Sequence, residues 1–439
     1  MNTIDILTKK FPHFGINKLR EITRLVQEIS SIEKIQISNV INTLMTKDYE
    51  SIKNELLKRR YPKSFGKVPM SSYYLPKYET DILAKAVTTS SSFYPKNIYY
   101  EPEIKKYALF ENIKNSFPAS KYIEIESIKA FLKVNHFTLK DYNNRIDNLF
   151  LVTEKYSFFK RCPCTSGVIN CNYYIMNTGT GCLYNCSYCF LQGYQNIPGI
   201  VINCNITDYL QDEKITPAAH SFFNYKRIGN GEFTDSLIFD YITNFSTSII
   251  NYFKTKKEIF FEFKTKSLNI ENLLKAGGQK NIVAAWSVNA EEMATANEFG
   301  TPSIQERLKA AQKCARAGFS TAFHLDPIIY YKDWQNGYKQ CIDMIFDTVH
   351  SPSIKWISLG TLRMPAYQKV IIENRFPETK ILNGELLLGH DHKLRYHENL
   401  RIEMYKFINQ KIQSKKAGVI VYLCMETADI WKRVFNIEK

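Results

Sequence analysis

Nowhere does this 439-residue chain approach the ~18–20 consecutive apolar residues that a helix needs to cross a bilayer. Residues 1–30 lack the basic, apolar and small-residue order of a secretory signal, so the chain is expected to be cytoplasmic. No internal repeat or low-complexity tract is evident, and with 44% hydrophobic and 14% aromatic residues the chain is neither disordered nor fibrous. Acidic residues are in deficit: 43 Asp and Glu stand against 58 Lys and Arg, a net charge of +15. Such a balance favours a polyanionic partner, nucleic acid or an anionic membrane surface, with a merely solubilising surface as the plain alternative.

The length suggests two or three domains, or one barrel with an appendage. Residues 1–95 carry no chemical motif, but Ile16, Leu19, Ile22, Leu25, Val26 and Ile29 recur at three- and four-residue steps, one apolar face of a helix. They are expected to form a helical extension. Its run Lys58-Arg59-Arg60, followed by Tyr61, reads either as a phosphate contact or as a solvated helix end, and Thr88–Ser92 reads as a linker. Residues 96–165 read as an α/β segment packing on a barrel, and 166–439 as the barrel with its C-terminal closure.

Beyond residue 170, strand-like runs alternate with helix-length segments. The runs are 173–178, 226–231, 258–266, 282–289, 321–329 and 355–362, each rich in β-branched, aliphatic or aromatic residues. This is the pattern of βαβ units with a parallel sheet, and a further apolar run at 419–426 reads as barrel closure. Ser303 with Glu306 predicts a capping box, Ile304, Leu308, Ala311 and Ala315 one helix face, and Gly318 the stop. The fold class expected is α/β: a partial (β/α)6 TIM-like barrel with an appended N-terminal helical domain, its chemistry at the strands' carboxyl ends.

Ten cysteines in a reducing compartment point to metal or redox chemistry rather than to structural disulfides. Six lie between Cys162 and Cys189; Cys204, Cys314, Cys341 and Cys424 read by default as small buried hydrophobes. The sharpest signal is Cys182, Cys186 and Cys189, a CxxxCxxC directly after the first barrel strand. Three thiolates at this spacing can hold three irons of a [4Fe–4S] cluster and leave the fourth open to a cofactor. Zinc, the alternative, usually takes four ligands, and the motif lacks a fourth. A nucleic-acid-binding protein with a structural metal and no catalysis would follow from that alternative.

This motif after the first strand resembles the radical S-adenosylmethionine superfamily, and Gly229-Asn230-Gly231-Glu232 stands where that superfamily has a Gly-Gly-Glu-like turn for the cofactor's ammonium. Further segments are similar to the spore photoproduct lyase family and its longer homologues. They include Ile98–Pro102, Thr178–Gln192, Phe263–Lys266, Trp286–Ala290, Glu298–Pro302 leading into Arg307, Asp326–Ile328 with Trp334, and Tyr422–Glu426 with Trp431.

The resemblance implies a lyase that splits 5-thyminyl-5,6-dihydrothymine, a crosslink made by ultraviolet light in DNA, through a 5′-deoxyadenosyl radical. It implies a [4Fe–4S] cluster on Cys182, Cys186 and Cys189. S-adenosyl-L-methionine would lie against Tyr188, Gly231, Glu232, Lys266, Ser287 and Asn289. It also implies ultraviolet-damaged DNA as partner, with the lesion flipped out of the stack; a reducing donor such as flavodoxin or ferredoxin is expected, and a monomer without membrane attachment. Arg363, and the stretch His390, His392, Lys393 and Arg395, read either as phosphate contacts or as structural and solvated groups.

The chain departs from the family at two positions. In the family a cysteine returns a hydrogen atom to the product radical, with two tyrosines flanking the last cluster cysteine. Here Glu232 stands at the donor position, and Tyr188 is kept while Phe190 replaces the second tyrosine. Tyr188 would take part in radical return, with Cys164 and Cys171, beside Cys162, as candidate donors. Buried structural thiols and ligands of an auxiliary cluster are the other readings of that trio. The altered residues also leave open a radical enzyme acting on another nucleic-acid base or on a peptide.

Overall fold

The computed structural model describes residues 2–45, 48–77, 85–86, 93–155, 158–210, 222–415 and 417–437. The linker expected at Thr88–Ser92 lies outside the described residues. The chain forms two compact units, one of residues 1–85 with 362–401 and one of 86–361 with 402–439. Residues 362–401 thus group with the N-terminal helices, a grouping that the sequence reading, with its barrel running from 166 to 439, does not contain.

In the first unit, helices α1 (Thr3–Lys10), α2 (Ile16–Glu33), α3 (Ile37–Asn42) and α4 (Tyr49–Arg60) enclose a core. The expected face of α2 is buried at Leu19, Ile22, Leu25, Val26 and Ile29, whereas Ile16 opens the helix at its solvent end and is 53% exposed. Glu28 accepts from Arg24 (2.6 Å), Arg60 (2.7 Å) and Lys369 (2.7 Å), all buried. Arg60 also donates to the carbonyls of Leu382 and Gly384, and Arg59 pairs with Glu33. Arg59 and Arg60 are therefore held by carboxylates and carbonyls, whereas Lys58 is exposed. The strands Arg363–Pro365, Lys393–Tyr396 and Leu386–Leu388 form an antiparallel sheet, and Arg395, only 9% exposed, pairs with Asp391.

The second unit holds the barrel. Its parallel strands are β1 (Tyr173–Met176), β2 (Lys226–Gly229), β3 (Ile259–Thr265), β4 (Ile282–Ser287), β5 (Ser320–Ile328), β6 (Ile354–Thr361) and β7 (Ile420–Leu423), hydrogen-bonded in that order. The six strand candidates and the closing run at 419–426 are thus all found as strands. Phe159–Arg161 adds an antiparallel edge to β1. Such strands are covered on both faces, and Ile282 to Trp286 are without solvent exposure. The capping box forms as Ser303 and Glu306 predict, on α5 (Ile304–Arg316), with Gly318 at φ +95° beyond its end.

A second sheet in this unit runs Lys121–Glu124, Asn97–Tyr100, Asn148–Val152, Ile200–Asn203 and Gly179–Thr180. Its strand Asn148–Val152 pairs in parallel with Ile200–Asn203, so the pairing continues across residue 166. Among the described residues, no helix is long and apolar enough to cross a membrane.

Candidate active site at the barrel mouth

On β3 the side chains alternate: Phe261 and Phe263 face one way, Glu262, Lys264 and then Lys266 the other. The second set lines the barrel interior. Glu262 accepts from Arg227 (3.1 Å), His324 (2.7 Å) and Trp356 (3.1 Å), and Arg227 also donates to Tyr422 (3.1 Å), so β2, β3, β5, β6 and β7 share one network. Arg227 sits among the rings of Trp356, Phe223, Tyr422 and Tyr173, at 4.1, 4.6, 4.9 and 5.4 Å. A guanidinium over aromatic faces tolerates such burial where an ammonium would not. Burial alone would raise the Glu262 carboxyl, but His324 and Arg227 hold it down at about 2. This network fills the interior below the strands' carboxyl ends.

Above it lies the cysteine loop. Gly181 takes φ +104°, where a Cβ would meet the Ile200 side chain at 2.8 Å. Arg145, 1% exposed, donates to the carbonyls of Cys182 (3.0 Å) and Tyr184 (2.9 Å) and to Asn185 Oδ1 (3.1 Å). On the loop's other side, Asn185–Cys186 pairs antiparallel with Glu298–Phe299, and Ser187 donates backbone and side chain to Asn297, each at 2.8 Å. The motif is thereby fixed from two sides.

Burial pushes the Cys182 and Cys186 thiols up, Cys186 to about 12 against the opposing Lys266. Cys182 is raised by burial and by Asp235, Cys189 and Cys186, and Cys186 by Cys189, so the three sulfurs are electrostatic neighbours. Among the described residues no three His, Cys, Asp or Glu side chains gather as ligands of a single ion. A cubane spreads its thiolates over three irons, whereas zinc usually takes four ligands. The donor set fits a [4Fe–4S] cluster.

Around the loop stand the residues expected to receive a cofactor. Lys266 is half-buried beside Cys186 and Glu298, with its ammonium 5.5 Å from the Tyr188 ring. Glu298 accepts from the Tyr188 hydroxyl and pairs with Arg307 at 2.6 Å. Burial opposes the Glu298 charge, yet Lys266 and Arg307 keep its carboxyl below the usual range. Ser287 ends β4, and its carbonyl accepts from Arg307 at 3.0 Å. Gly231 must be glycine, because a Cβ there would come within 2.6 Å of the Lys264 carbonyl. Glu232 faces Lys264 across 3.9 Å. Asn289 is brought to the same end, but its amide accepts from Tyr338 (2.8 Å) and Ala290 (3.0 Å) and donates to the Pro327 carbonyl (3.0 Å). Its side chain therefore ties strand ends together here.

The remaining cysteines divide. Cys204, Cys314 and Cys341 are buried, as small hydrophobes should be, while Cys424 is only partly covered and follows β7 into the interior beside Lys264. Cys162, Cys164 and Cys171 are all partly exposed. The Cys162 thiol is hydrogen-bonded with that of Cys164 and lies near Glu232, while burial raises Cys171 against the opposing pull of Arg227.

Comparison with known proteins decides the family. The model of the spore photoproduct lyase family matches residues 93–425. The chain belongs to that family. Spore photoproduct lyase from Bacillus subtilis (strain 168) is 25% identical over 331 residues, spanning 73% of this chain and 91% of its own. The enzyme of the same name from Geobacillus sp. (strain Y412MC61) is 26% identical over 299 residues, spanning 66% and 84%. A solved spore photoproduct lyase complexed with dinucleoside spore photoproduct superposes with a TM-score of 0.63 at 21% identity, covering 76% of this chain and all of that one. A mutant with bound AdoMet and the same dinucleoside gives 0.63 at 22%. At these identities the structural likeness speaks to the fold. Residues 1–92 lie outside the match to the spore photoproduct lyase family.

Sequence reasoning missed Arg145, Asp235 and Glu262. Asp235 accepts from Thr265 Oγ1 (2.5 Å) and from the backbone N–H groups of Lys266 (2.6 Å), Leu237 (3.0 Å) and Ile238 (3.1 Å), fixing the turn after Gly231 to the end of β3. Nothing local marks it or Arg145. For Glu262 a signal existed, the alternation Glu262, Lys264, Lys266 between phenylalanines, which marks a polar interior face.

Proposed function

We propose that this chain is a radical S-adenosylmethionine lyase that splits the thymine crosslink of spore photoproduct type in ultraviolet-damaged DNA. The observation that carries this reading is the CxxxCxxC loop at the carboxyl end of β1, inside a family match that spans residues 93–425. Cys182, Cys186 and Cys189 hold the cluster. Gly231, Glu232, Lys266 and Ser287 receive the cofactor: the lysine suits its carboxylate and the glycine lets backbone approach. Asn289 lines the same end. When bound, the cofactor supplies a 5′-deoxyadenosyl radical that removes hydrogen from C6 of the reduced thymine ring.

The protein's own work is to seat the lesion over that radical, keep Tyr188 oriented through Glu298, and return a hydrogen atom. Glu232 cannot do the last. A thiol can, because its S–H bond is weak, and Cys164 and Cys171, with Cys162 beside them, stand in the segment that enters the barrel at β1. We further infer a cytoplasmic monomer that draws its electron from a flavodoxin or ferredoxin.

Mass spectrometry of ultraviolet-irradiated DNA after treatment with the reduced enzyme tests the reading. Loss of the crosslink with matching recovery of thymines is the expected result. Cofactor cleavage that leaves the crosslink untouched would overturn the substrate while sparing the radical chemistry.

A further inference from the structure

Cys162 and Cys164 flank a single proline, and the Cys164 N–H closes a tight turn onto the Cys162 carbonyl at 2.8 Å. The turn brings the two thiols into hydrogen-bond contact with each other. The strand Phe159–Arg161, paired with β1, leads directly into this turn, and the Cys162 N–H donates to the Tyr173 carbonyl at 3.0 Å. Cys162 therefore stands beside the first barrel strand, with Glu232 and Lys264 as its charged neighbours. Both residues are partly exposed. On the other side of the site, the Tyr188 hydroxyl donates to Glu298, and Phe190 lacks the phenolic O–H through which a tyrosine exchanges a hydrogen atom.

A thiol that gives up a hydrogen atom becomes a thiyl radical, and its fate depends on what lies in contact with it. Here that contact is a second thiol. We propose that Cys162 and Cys164 act as a dithiol that is consumed as a disulfide at each turnover. This inference rests on the lesion-cleaving reading and adds to it a reductant and a cofactor stoichiometry. Cys162 gives its hydrogen atom to the product radical, forming a C–H bond and a thiyl. Cys164 then loses its proton to water, its sulfur bonds to the thiyl, and the surplus electron returns to the oxidised cluster. One crosslink, one S-adenosylmethionine cation and the dithiol thus yield repaired thymines, methionine, 5′-deoxyadenosine, the disulfide and one proton. An external dithiol of the thioredoxin class must then reopen the bridge by exchange at these partly exposed residues.

The test uses holoenzyme reconstituted without oxygen, stripped of small thiols, and given damaged DNA, S-adenosylmethionine and a one-electron donor. Differential alkylation and peptide mass spectrometry read the cysteines while 5′-deoxyadenosine is counted. A bridge between 162 and 164 should rise in step with crosslink lost, with one 5′-deoxyadenosine per crosslink, and dithiothreitol should restart repair. Cys164→Ser should stop after one event and not be restarted. Continued repair with both thiols still open to alkylation, or many crosslinks removed per 5′-deoxyadenosine, would overturn the proposal. A second measurement needs no substrate: oxidised dithiothreitol should bridge 162 to 164 selectively, and failure to do so also overturns it. Selective bridging in a protein that removes no crosslink would support the dithiol and contradict the lesion reading alone.

Discussion

Single atoms at Gly231 and Glu262 decide whether the barrel mouth can exist. A Cβ at Gly231 would lie 2.6 Å from the Lys264 carbonyl and 2.8 Å from Ser236 Oγ, and a strand carbonyl cannot yield as a side-chain tip can. Gly231→Ala should therefore weaken S-adenosylmethionine binding at least tenfold, about 1.4 kcal/mol, while circular dichroism keeps its native shape. Wild-type affinity in equilibrium dialysis would contradict the assignment. Glu262 gives a pH prediction. Its folded pKa, about 2, lies below the ordinary value of 4.5, so its stabilisation is complete above the ordinary value and is lost as pH falls toward the folded one. Urea unfolding should show stability dropping across that window by an amount of order 3 kcal/mol. Glu262→Gln should flatten that part of the pH profile and, by leaving Arg227 without its counter-charge, destabilise the protein at neutral pH by about 3–5 kcal/mol.

At the scale of elements, the cysteine loop has little regular structure of its own, so its shape comes from its neighbours. Arg145 binds two carbonyls and one side chain of that loop, and the short ladder to Glu298–Phe299 holds the opposite edge. Arg145→Ala should leave the three cysteines in place but speed loss of the cluster's visible absorbance under a chelator severalfold; an unchanged rate would contradict the clamp. This scale also shows what the sequence could reveal. The long parallel strands and the helix after Ser303 were legible because β-branched runs and a capping box carry their own signal. Two-residue strands such as Glu298–Phe299 carry none, since their pairing is fixed by the loop they meet. Arg227 looks like a surface charge in a linear string, and its burial follows only from barrel closure. Of the candidate site, the position of the cysteine loop after the first barrel strand and of Lys266 and Ser287 at strand ends was legible; the groups that hold them were not, because they come from elements remote in sequence.

For the whole molecule, charge sets the conditions under which a polyanion binds. With a net charge of +15, affinity for DNA should rest mainly on phosphate contacts and fall by about tenfold or more between 50 and 200 mM salt. Fluorescence anisotropy at several salt concentrations checks this, and a salt-independent affinity would count against DNA as partner. The grouping of residues 362–401 with the N-terminal helices, through Glu28 and its three cations, was invisible in the sequence because the partners lie over 300 positions apart.

Function on this account depends on one iron that the chain leaves without a sulfur. Electron paramagnetic resonance of the reduced protein, prepared without oxygen, tests it most directly when spectra are taken before and after S-adenosylmethionine is added. The account predicts a [4Fe–4S]⁺ signal whose g-values move on addition, and loss of that signal when any one of Cys182, Cys186 and Cys189 is replaced by alanine. A signal that ignores the cofactor, or a protein that binds zinc and assembles no cluster, would contradict it.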